Sequence, residues 1–397
     1  MTTRKIKPNI YSVGAVDWDR RLFDELIPLP DGTSYNAFLV KGSDKTALID
    51  GVDPTKELEL VANLAALGVD TLDYLVSNHA EQDHSGAIPK MLGVYPACKV
   101  VANAKCIATL KDLHGIAGDR FIEISDRDTL SLGDKTLEFI FAPWVHWPET
   151  MLTYAREDKL LFTCDLFGSH FATSDLFAVD KERAHIAAKR YYAEIMMPFR
   201  NQIKKHLEKI AELEIEIIAP SHGPLHNEPA TMTAAYADWV ADDVKNEVVL
   251  AYVSMHGSTR KMVDYLIDGL ISRGVTVKPF NLTHTDPGEL AMALVDTATL
   301  VIASPTVLAG PHPTVASAAV LTNALKPKLK FVAIIGSYGW GGRTVELLSA
   351  MIPNLKAELL EPVLIKGSPT DDDLPLLGRL ADEIAAKHAE SASTPDP

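Results

Sequence analysis

Cysteine is scarce in this 397-residue chain: Cys98, Cys106 and Cys164 are the only three, and no two of them form a CxxC pair. That excludes a disulfide framework, and with it a built-in zinc ribbon or a rubredoxin- or ferredoxin-type module. Long apolar runs are also lacking. The longest, such as Phe331–Ile335, fall far short of the roughly 20 residues a membrane helix needs. Met1 to Arg21 has no apolar stretch of signal-peptide type, so the expectation is a cytoplasmic protein. There is no excess of basic charge. Lys plus Arg is 38 against 53 Asp plus Glu, a formal net charge of −15, whereas a nucleic-acid binder needs basic stripes to replace phosphate counterions. No internal repeat and no low-complexity block interrupts the chain.

What remains is ordinary globular composition, 47% apolar and 23% charged, enough for a real core. At roughly 150 residues per domain, the length implies two or three domains. Residues 1–245 read as short strands mixed with a few helices. The strands are expected at Ser34–Val40, Lys45–Ile49, Leu72–Ser77, Lys99–Ala102, Leu137–Phe141, Met151–Tyr154, Lys159–Phe162 and Ile215–Ala219, each apolar or β-branched and most bounded by turn residues. Leu132–Lys135 looks like a hairpin turn, and Lys56–Leu67 and Glu182–Glu194 have helical patterns. This mixture predicts two sheets with helices outside them.

The rhythm changes after Asp242–Glu247. Val248–Val253 is a continuous apolar strand of the doubly buried kind. A helix follows with apolar positions Met262, Val263, Leu266, Ile267, Leu270 and Ile271 at helical spacing, and further strands are expected at Val275–Phe280, Thr299–Ala303 and Phe331–Ile335. This alternation predicts a doubly wound parallel sheet over 246–390. Residues from about Ala386 read as a frayed tail, with 391–397 disordered.

Two constellations carry chemistry. The first is His79-Ala80-Glu81-Gln82-Asp83-His84, directly after an apolar strand. Spacing by two places His79, Glu81 and Asp83 on one side of an extended loop. His146, Asp165 and His222 each follow a later strand, so all of these metal-type ligands fall on one edge of a layered structure. The second is Ser254-Met255-His256-Gly257-Ser258-Thr259, between a buried strand and a helix. Hydroxyls and backbone N–H groups at a helix N-terminus make an anion nest. The pattern is neither GxxxxGK[ST] nor GxGxxG. Two further strand-end loops accompany it, Pro305, Thr306 to Gly310, and Ser337-Tyr338-Gly339-Trp340-Gly341-Gly342. Their glycines let backbone approach a flat ring, and Tyr338 and Trp340 can stack on it.

The order HxxxDH, His, Asp, Ser-His-Gly resembles the metallo-β-lactamase superfamily, and Glu81, where that superfamily's hydrolases carry a histidine, resembles the flavodiiron proteins. The local runs His146-Trp147-Pro148-Glu149-Thr150-Met151 and Tyr191-Tyr192-Ala193-Glu194-Ile195 are similar to that family's as well. The second half resembles flavodoxin, and the resemblance runs to about residue 385. It implies an N-terminal metallo-β-lactamase-like αββα sandwich followed by a C-terminal flavodoxin-like doubly wound parallel sheet. It implies one iron held by His79, Glu81 and His146, a second by Asp83 and His222, and Asp165 bridging them about 3.5–4 Å apart. His84 stays open as a ligand or a neighbour of the ligands. Tyr191 and Tyr192 stay open as proton donors or plain core aromatics. Carboxylate for imidazole makes the site harder and favours iron over zinc. FMN would occupy the three loops of the second half.

The activity implied is reduction of O2 to water, of NO to N2O, or of both, with electrons passing through FMN from a separate donor. Rubredoxin is the expected donor, with a flavin reductase behind it; a deazaflavin is the other option. Trp144 and Trp147 beside His146 would form an apolar mouth for small gases. The resemblance also implies a head-to-tail homodimer or homotetramer, and no nucleic-acid or membrane partner. Two competing readings stand beside this one: a zinc metallohydrolase with an accessory flavodoxin domain, and an electron carrier with a vestigial metal site.

Overall fold

The structure, a computed structural model, describes residues 3–393. The chain divides into two compact units. The first comprises residues up to Tyr192 together with Phe199–Val240; the second comprises Ala193–Pro198 and the chain from Ala241 onward.

In the first unit a seven-stranded sheet and a five-stranded sheet supply the frame. The seven-stranded sheet is antiparallel where Phe38–Lys41 meets Thr46–Ile49 and parallel through Tyr74–Val76, Lys99–Asn103 and Phe121–Ile124. The five-stranded sheet runs Thr129–Ser131, Thr136–Phe141, Met151–Ala155, Leu160–Cys164 and Ile217–Pro220, with only the last pair parallel. Strand alternation builds both cores. Phe38, Val40, Ala47, Ile49, Val76 and Val101 pack with Phe139, Met151, Leu160 and Phe162 of the five-stranded sheet. Their neighbours Leu39, Leu48, Leu75 and Val100 point the other way, with Leu60, Leu64, Met91 and Leu110 from the helices Glu57–Ala66, Ile88–Val94 and Ala104–His114. This is the expected two-sheet sandwich with helices outside. The hairpin turn at Leu132–Lys135 is also present.

The second unit carries one twisted parallel sheet, ordered Thr276–Asn281, Lys245–Tyr252, Thr297–Val307, Phe331–Tyr338, then Glu358–Leu359 and Val363–Lys366. In chain order that is 2-1-3-4-5, the flavodoxin-like arrangement. Val248, Leu250 and Tyr252 face the helices Ser258–Ile271 and Leu374–Ser393, while Val249 and Ala251 face Pro287–Leu294 and Pro313–Leu325. Both faces are covered, which is why these strands read as unbroken apolar runs.

Three expectations are corrected. The stretch Ser34–Val40 is two strands, Thr33–Tyr35 and Phe38–Lys41, pairing in different sheets. The helical pattern at Glu182–Glu194 ends as an α-helix at Tyr191 and continues as a π-helical turn over Tyr192–Met196. The last helix runs to Ser393, so the residues from Ala386, and 391–393 within the expected disordered tail, are helical; residues 394–397 lie outside the described residues. The anchor is polar and was not visible as periodicity. His388, 5% exposed, donates from Nδ1 to Asn246 Oδ1 at 2.7 Å, and its Nε2 accepts from the Thr299 hydroxyl at 2.7 Å. Among the described residues no helix is long and apolar enough to cross a membrane.

Burial lowers the proton affinity of His388 below its ordinary value. The unfolded chain takes up this proton near pH 6.5 and the folded chain only below that. Stability should therefore fall as pH drops through about 6.5, because the unfolded state then binds more protons. His388→Gln should flatten that part of the profile. Urea midpoints at pH 7.5 and 5.5 check this; an equal acid loss in both proteins would refute it.

Candidate diiron and flavin sites

The first-unit site gathers at the carboxyl ends of strands from both sheets. His79 and Glu81 follow Tyr74–Val76, His146 follows Thr136–Phe141, Asp165 directly follows Leu160–Cys164, and His222 follows Ile217–Pro220. The expected extended loop is not what places the carboxylates. Gln82–Ser85 closes into a helical turn, which rotates Asp83 and His84 away from His79 and Glu81. The six-residue cluster thereby serves two positions rather than one face.

At the first position, Glu81 Oε2 lies 3.1 Å from both His79 Nε2 and His146 Nε2, and Asp165 Oδ2 lies 3.5 and 3.6 Å from the same two nitrogens. At the second, His84 Nε2 is 3.3 Å from Asp83 Oδ1 and 3.0 Å from Asp165 Oδ1, while His222 Nε2 is 3.1 Å from Asp83 Oδ2 and 3.4 Å from Asp165 Oδ1. All four imidazoles aim Nε2 inward, and Asp165 sends one oxygen to each position. His84, left open by the sequence, joins the second group.

These separations suit vertices around a shared cation. Donors about 2.1 Å from one ion stand about 3.0 Å apart on an octahedron and about 3.4 Å apart on a tetrahedron. Both carboxylate oxygens of Asp83 and of Asp165, and both nitrogens of His84, are buried without a hydrogen-bond partner. Buried polar atoms are normally paired, so the set fits two metal ions.

The electrostatics agree. Burial alone would lower the proton affinity of His222, but Asp165 and Asp83 raise it to about 10. Burial opposes the ionised form of Asp165, yet His84 and His222 hold its carboxyl well below the usual range. The ligand histidines are held from behind as well. His222 Nδ1 donates to Ser34 O at 2.7 Å, and His79 Nδ1 donates to Glu149 Oε1 at 2.7 Å. Gly223 supports the first of these; its φ of +79° and a virtual Cβ only 2.1 Å from Ser169 Oγ leave room for no side chain.

The aromatic expectations divide. Tyr191 is buried, with its ring centroid 5.7 Å from His222 and 4.9 Å from His170. Burial, then the charge of Asp165, pushes its hydroxyl well above the usual tyrosine range, so it stays protonated. Tyr192 is corrected: its hydroxyl donates to Trp239 O at 3.2 Å and its ring packs on Tyr236 and Trp239, so it is a core aromatic. Trp147 stands edge-on to His79 at 5.0 Å and to His146 at 6.3 Å. Trp144 instead stacks on Phe199 and is 46% exposed, so of the two tryptophans it is Trp147 that lies against the imidazoles.

Sequence reasoning missed Glu149 as a partner of His79, and it missed His170 and Phe23. His170 Nδ1 lies 2.9 Å from Thr33 Oγ1, and its Nε2 is buried without a partner. Phe23, in a short hairpin, covers His170 at 4.9 Å. His170 follows Asp165 at the same strand end, which was a usable signal; Phe23 carried none.

In the second unit, Ser254, Met255, His256, Ser258, Thr259, Pro305, Thr306, Ser337, Tyr338, Gly339 and Gly367 line a cleft of about 210 Å³, partly open to solvent. It lies at the carboxyl ends of the parallel strands. Among the described residues no acidic side chain lines it. Gly257, at φ +91°, turns the backbone into the 14-residue helix Ser258–Ile271. Ser254 Oγ accepts from the N–H groups of Gly257 and Arg260, and Thr259 Oγ1 meets Ser337 Oγ at 3.1 Å. Hydroxyls, a helix N-terminus and the absence of acids fit a phosphate-bearing flavin. Gly310, Trp340, Gly341 and Gly342 do not line this cleft, and Trp340 is 81% exposed, so the expected stacking position is not formed by it here. Gly367 was not foreseen.

The family described as ODP family beta lactamase matches residues 33–223. A nitric oxide reductase from Moorella thermoacetica is 38% identical over 97% of this chain and 98% of its own length. Among solved structures, rubredoxin oxygen:oxidoreductase from Desulfovibrio gigas superposes with a TM-score of 0.94 at 29% identity, covering 99% of this chain and 100% of that one. The flavodiiron protein from Giardia intestinalis gives 0.92 at 29% identity, covering 99% of this chain and 98% of its own.

Because both positions share Asp165, its replacement should cost both metals. Asp165→Asn is expected to leave well under half the wild-type metal per chain, with FMN content unchanged. Elemental analysis alongside flavin absorbance checks this; loss of one metal only would show that the carboxylate does not bridge.

Proposed function

The chain belongs to the flavodiiron protein family, and on that premise we propose that it reduces O2 to water, NO to N2O, or both, with electrons delivered through FMN from a rubredoxin-type donor. The observation that carries this reading is Glu81. A carboxylate completes the position of His79 and His146, where the hydrolases that the fold resembles carry an imidazole, and so hardens the site towards iron. The zinc-hydrolase alternative has neither that residue nor the oxidoreductase relatives in its favour.

In this reading His79, Glu81 and His146 hold one iron, Asp83, His84 and His222 hold the other, and Asp165 serves both. Ser254, Ser258, Thr259, Thr306 and Ser337 hold the FMN. When bound, the iron pair and the flavin together supply up to four electrons, the number that O2 needs to become two waters; two NO need two.

The remaining work belongs to side chains. Trp147 lies against His79 and His146 and keeps that flank of the site dry, a surrounding that suits small uncharged gases. Tyr191 keeps its phenolic proton and stands beside Asp165, placed to donate a hydrogen bond into the site. His222 is locked by Ser34 O, and His79 by Glu149, so neither ring needs to reorient during turnover. We read residues 1–245 as the diiron domain and 246–390 as the FMN domain of a cytoplasmic head-to-tail homodimer or homotetramer.

The test is anaerobic reduction of protein with quantified iron and FMN, followed by stopped-flow mixing with O2 and, separately, with NO. Two irons and one FMN per chain, and rapid reoxidation by at least one gas, are expected. Zinc in place of iron, or no bound flavin, would sink the reading. Glu81→His should shift bound metal towards zinc and lower gas consumption at least tenfold. Unchanged iron content and turnover would remove the role given to Glu81.

A further inference from the structure

The imidazoles of the metal site differ in what stands behind them. His79 Nδ1 donates to Glu149 Oε1 at 2.7 Å, and the same oxygen accepts the Ala80 N–H at 3.1 Å. Glu149 is 3% exposed. Its backbone carbonyl is held by Asn103 Nδ2 at 2.5 Å. His222 Nδ1 instead meets a neutral acceptor, the carbonyl of Ser34. His84 Nδ1 has no hydrogen-bond partner. Asp50 is buried nearby, one residue before the Gly51 N–H that donates to His84 O, but its oxygens are taken by the backbone and side-chain N–H groups of Asn78 at 2.7 and 2.8 Å. Of His79, His84 and His222, His79 alone has, among the described residues, a carboxylate accepting from its outer nitrogen.

We propose that Glu149 makes the two metal positions unequal: its carboxylate behind His79 renders the position of His79, Glu81 and His146 the more tightly held and the harder to reduce. The proposal rests on the diiron reading and adds an order to it. A carboxylate that accepts an imidazole N–H draws the proton outward and makes the inner nitrogen a stronger donor. It also places a buried negative charge in direct hydrogen-bond contact with His79, where little solvent screens it, whereas the Asp50 carboxylate near His84 is held by Asn78 and makes no such bond to a ligand. Both effects favour the more positive ion at that position. Glu149 reaches neither metal position through its own oxygens; it is a positioning residue acting through His79. Its place in the turn after His146 sets it behind that one position only.

The experiment uses the holoprotein, with metal identity and FMN measured first. Wild type should release metal to a ferrous chelator in two equal phases, the slower by 10–100-fold, the range that outer partners of metal-bound histidines command. Potentiometric titration should show two iron steps. Glu149→Gln keeps the hydrogen-bond acceptor and removes the charge. It should speed the slow phase towards the fast one and raise the lower of the two potentials, leaving the other in place. Glu149→Asp retains the charge and should keep two phases. A single release phase in wild type overturns the proposal, whether or not the Gln variant folds. So does a Gln variant with unaltered phases and potentials, or an Asp variant that behaves like it. Zinc in the wild-type site would defeat the diiron reading instead, and the release phases would still report on the asymmetry.

Discussion

Three carboxylates, those of Glu81, Asp83 and Asp165, are brought together in a buried space within the first unit. Anions of like charge do not share a low-dielectric interior without positive charge among them. The surrounding imidazoles can provide it by taking protons: against the effect of burial, Asp83 and Asp165 raise the proton affinity of His84 and His222, and Glu149, then Glu81 and Asp165, raise that of His79. Metal ions provide it better, since one cation meets several donors at once. Protons and metals therefore compete for the same nitrogens, and metal binding releases protons and adds directly to the stability of the folded unit.

The sandwich meets this constraint by drawing on both sheets. The seven-stranded sheet delivers the run from His79 to His84, and the five-stranded sheet delivers His146, Asp165 and His222. Each ligand leaves the end of a strand whose body is locked in the shared core of Phe38, Val76, Phe139 and Phe162. Rigid strands hold the backbone, and the turns beyond them aim the side chains. The helical turn at Gln82–Ser85 shows how much a turn decides. Had these residues stayed extended, Glu81 and Asp83 would share one face and crowd a single position. Closed into a turn, they part, and only then does Asp165, between them, have two groups to join.

Ligand types and the layered architecture were legible in the sequence, because strand ends followed by His, Asp or Glu are local patterns. The division of those ligands into two positions was not, since it depends on a four-residue helix that no periodicity announces. Glu149 sits within a recognisable motif but its task is invisible in sequence, because its partner His79 lies 70 residues away and the contact exists only once both sheets are stacked. Tyr191 and Tyr192 were indistinguishable as adjacent aromatics. The helix carries one towards His222 and the other towards Trp239. The end of the last helix looks like a tail in sequence because Lys387, His388 and Glu390 look solvated. The buried contacts of His388 with Thr299 and Asn246 are long-range and polar, and apolar patterning cannot report them.

The two sites make opposite electrostatic demands, which explains why one chain uses two folds. A metal pair needs anions crowded in a dry interior, and an antiparallel-parallel sandwich provides strand ends converging from two layers. A flavin phosphate needs the reverse, a lining free of acids where backbone N–H groups and hydroxyls point outward. A parallel sheet provides this by feeding strands into helix N-termini at one edge. The chain as a whole is strongly acidic, yet among the described residues no carboxylate stands in the wall of the cleft from Ser254 to Gly367. Net charge therefore describes neither site. What each unit does follows from where its few uncompensated charges and N–H groups are directed. A single fold that met both demands would have to hold carboxylates away from the very strand ends where the metal pair requires them.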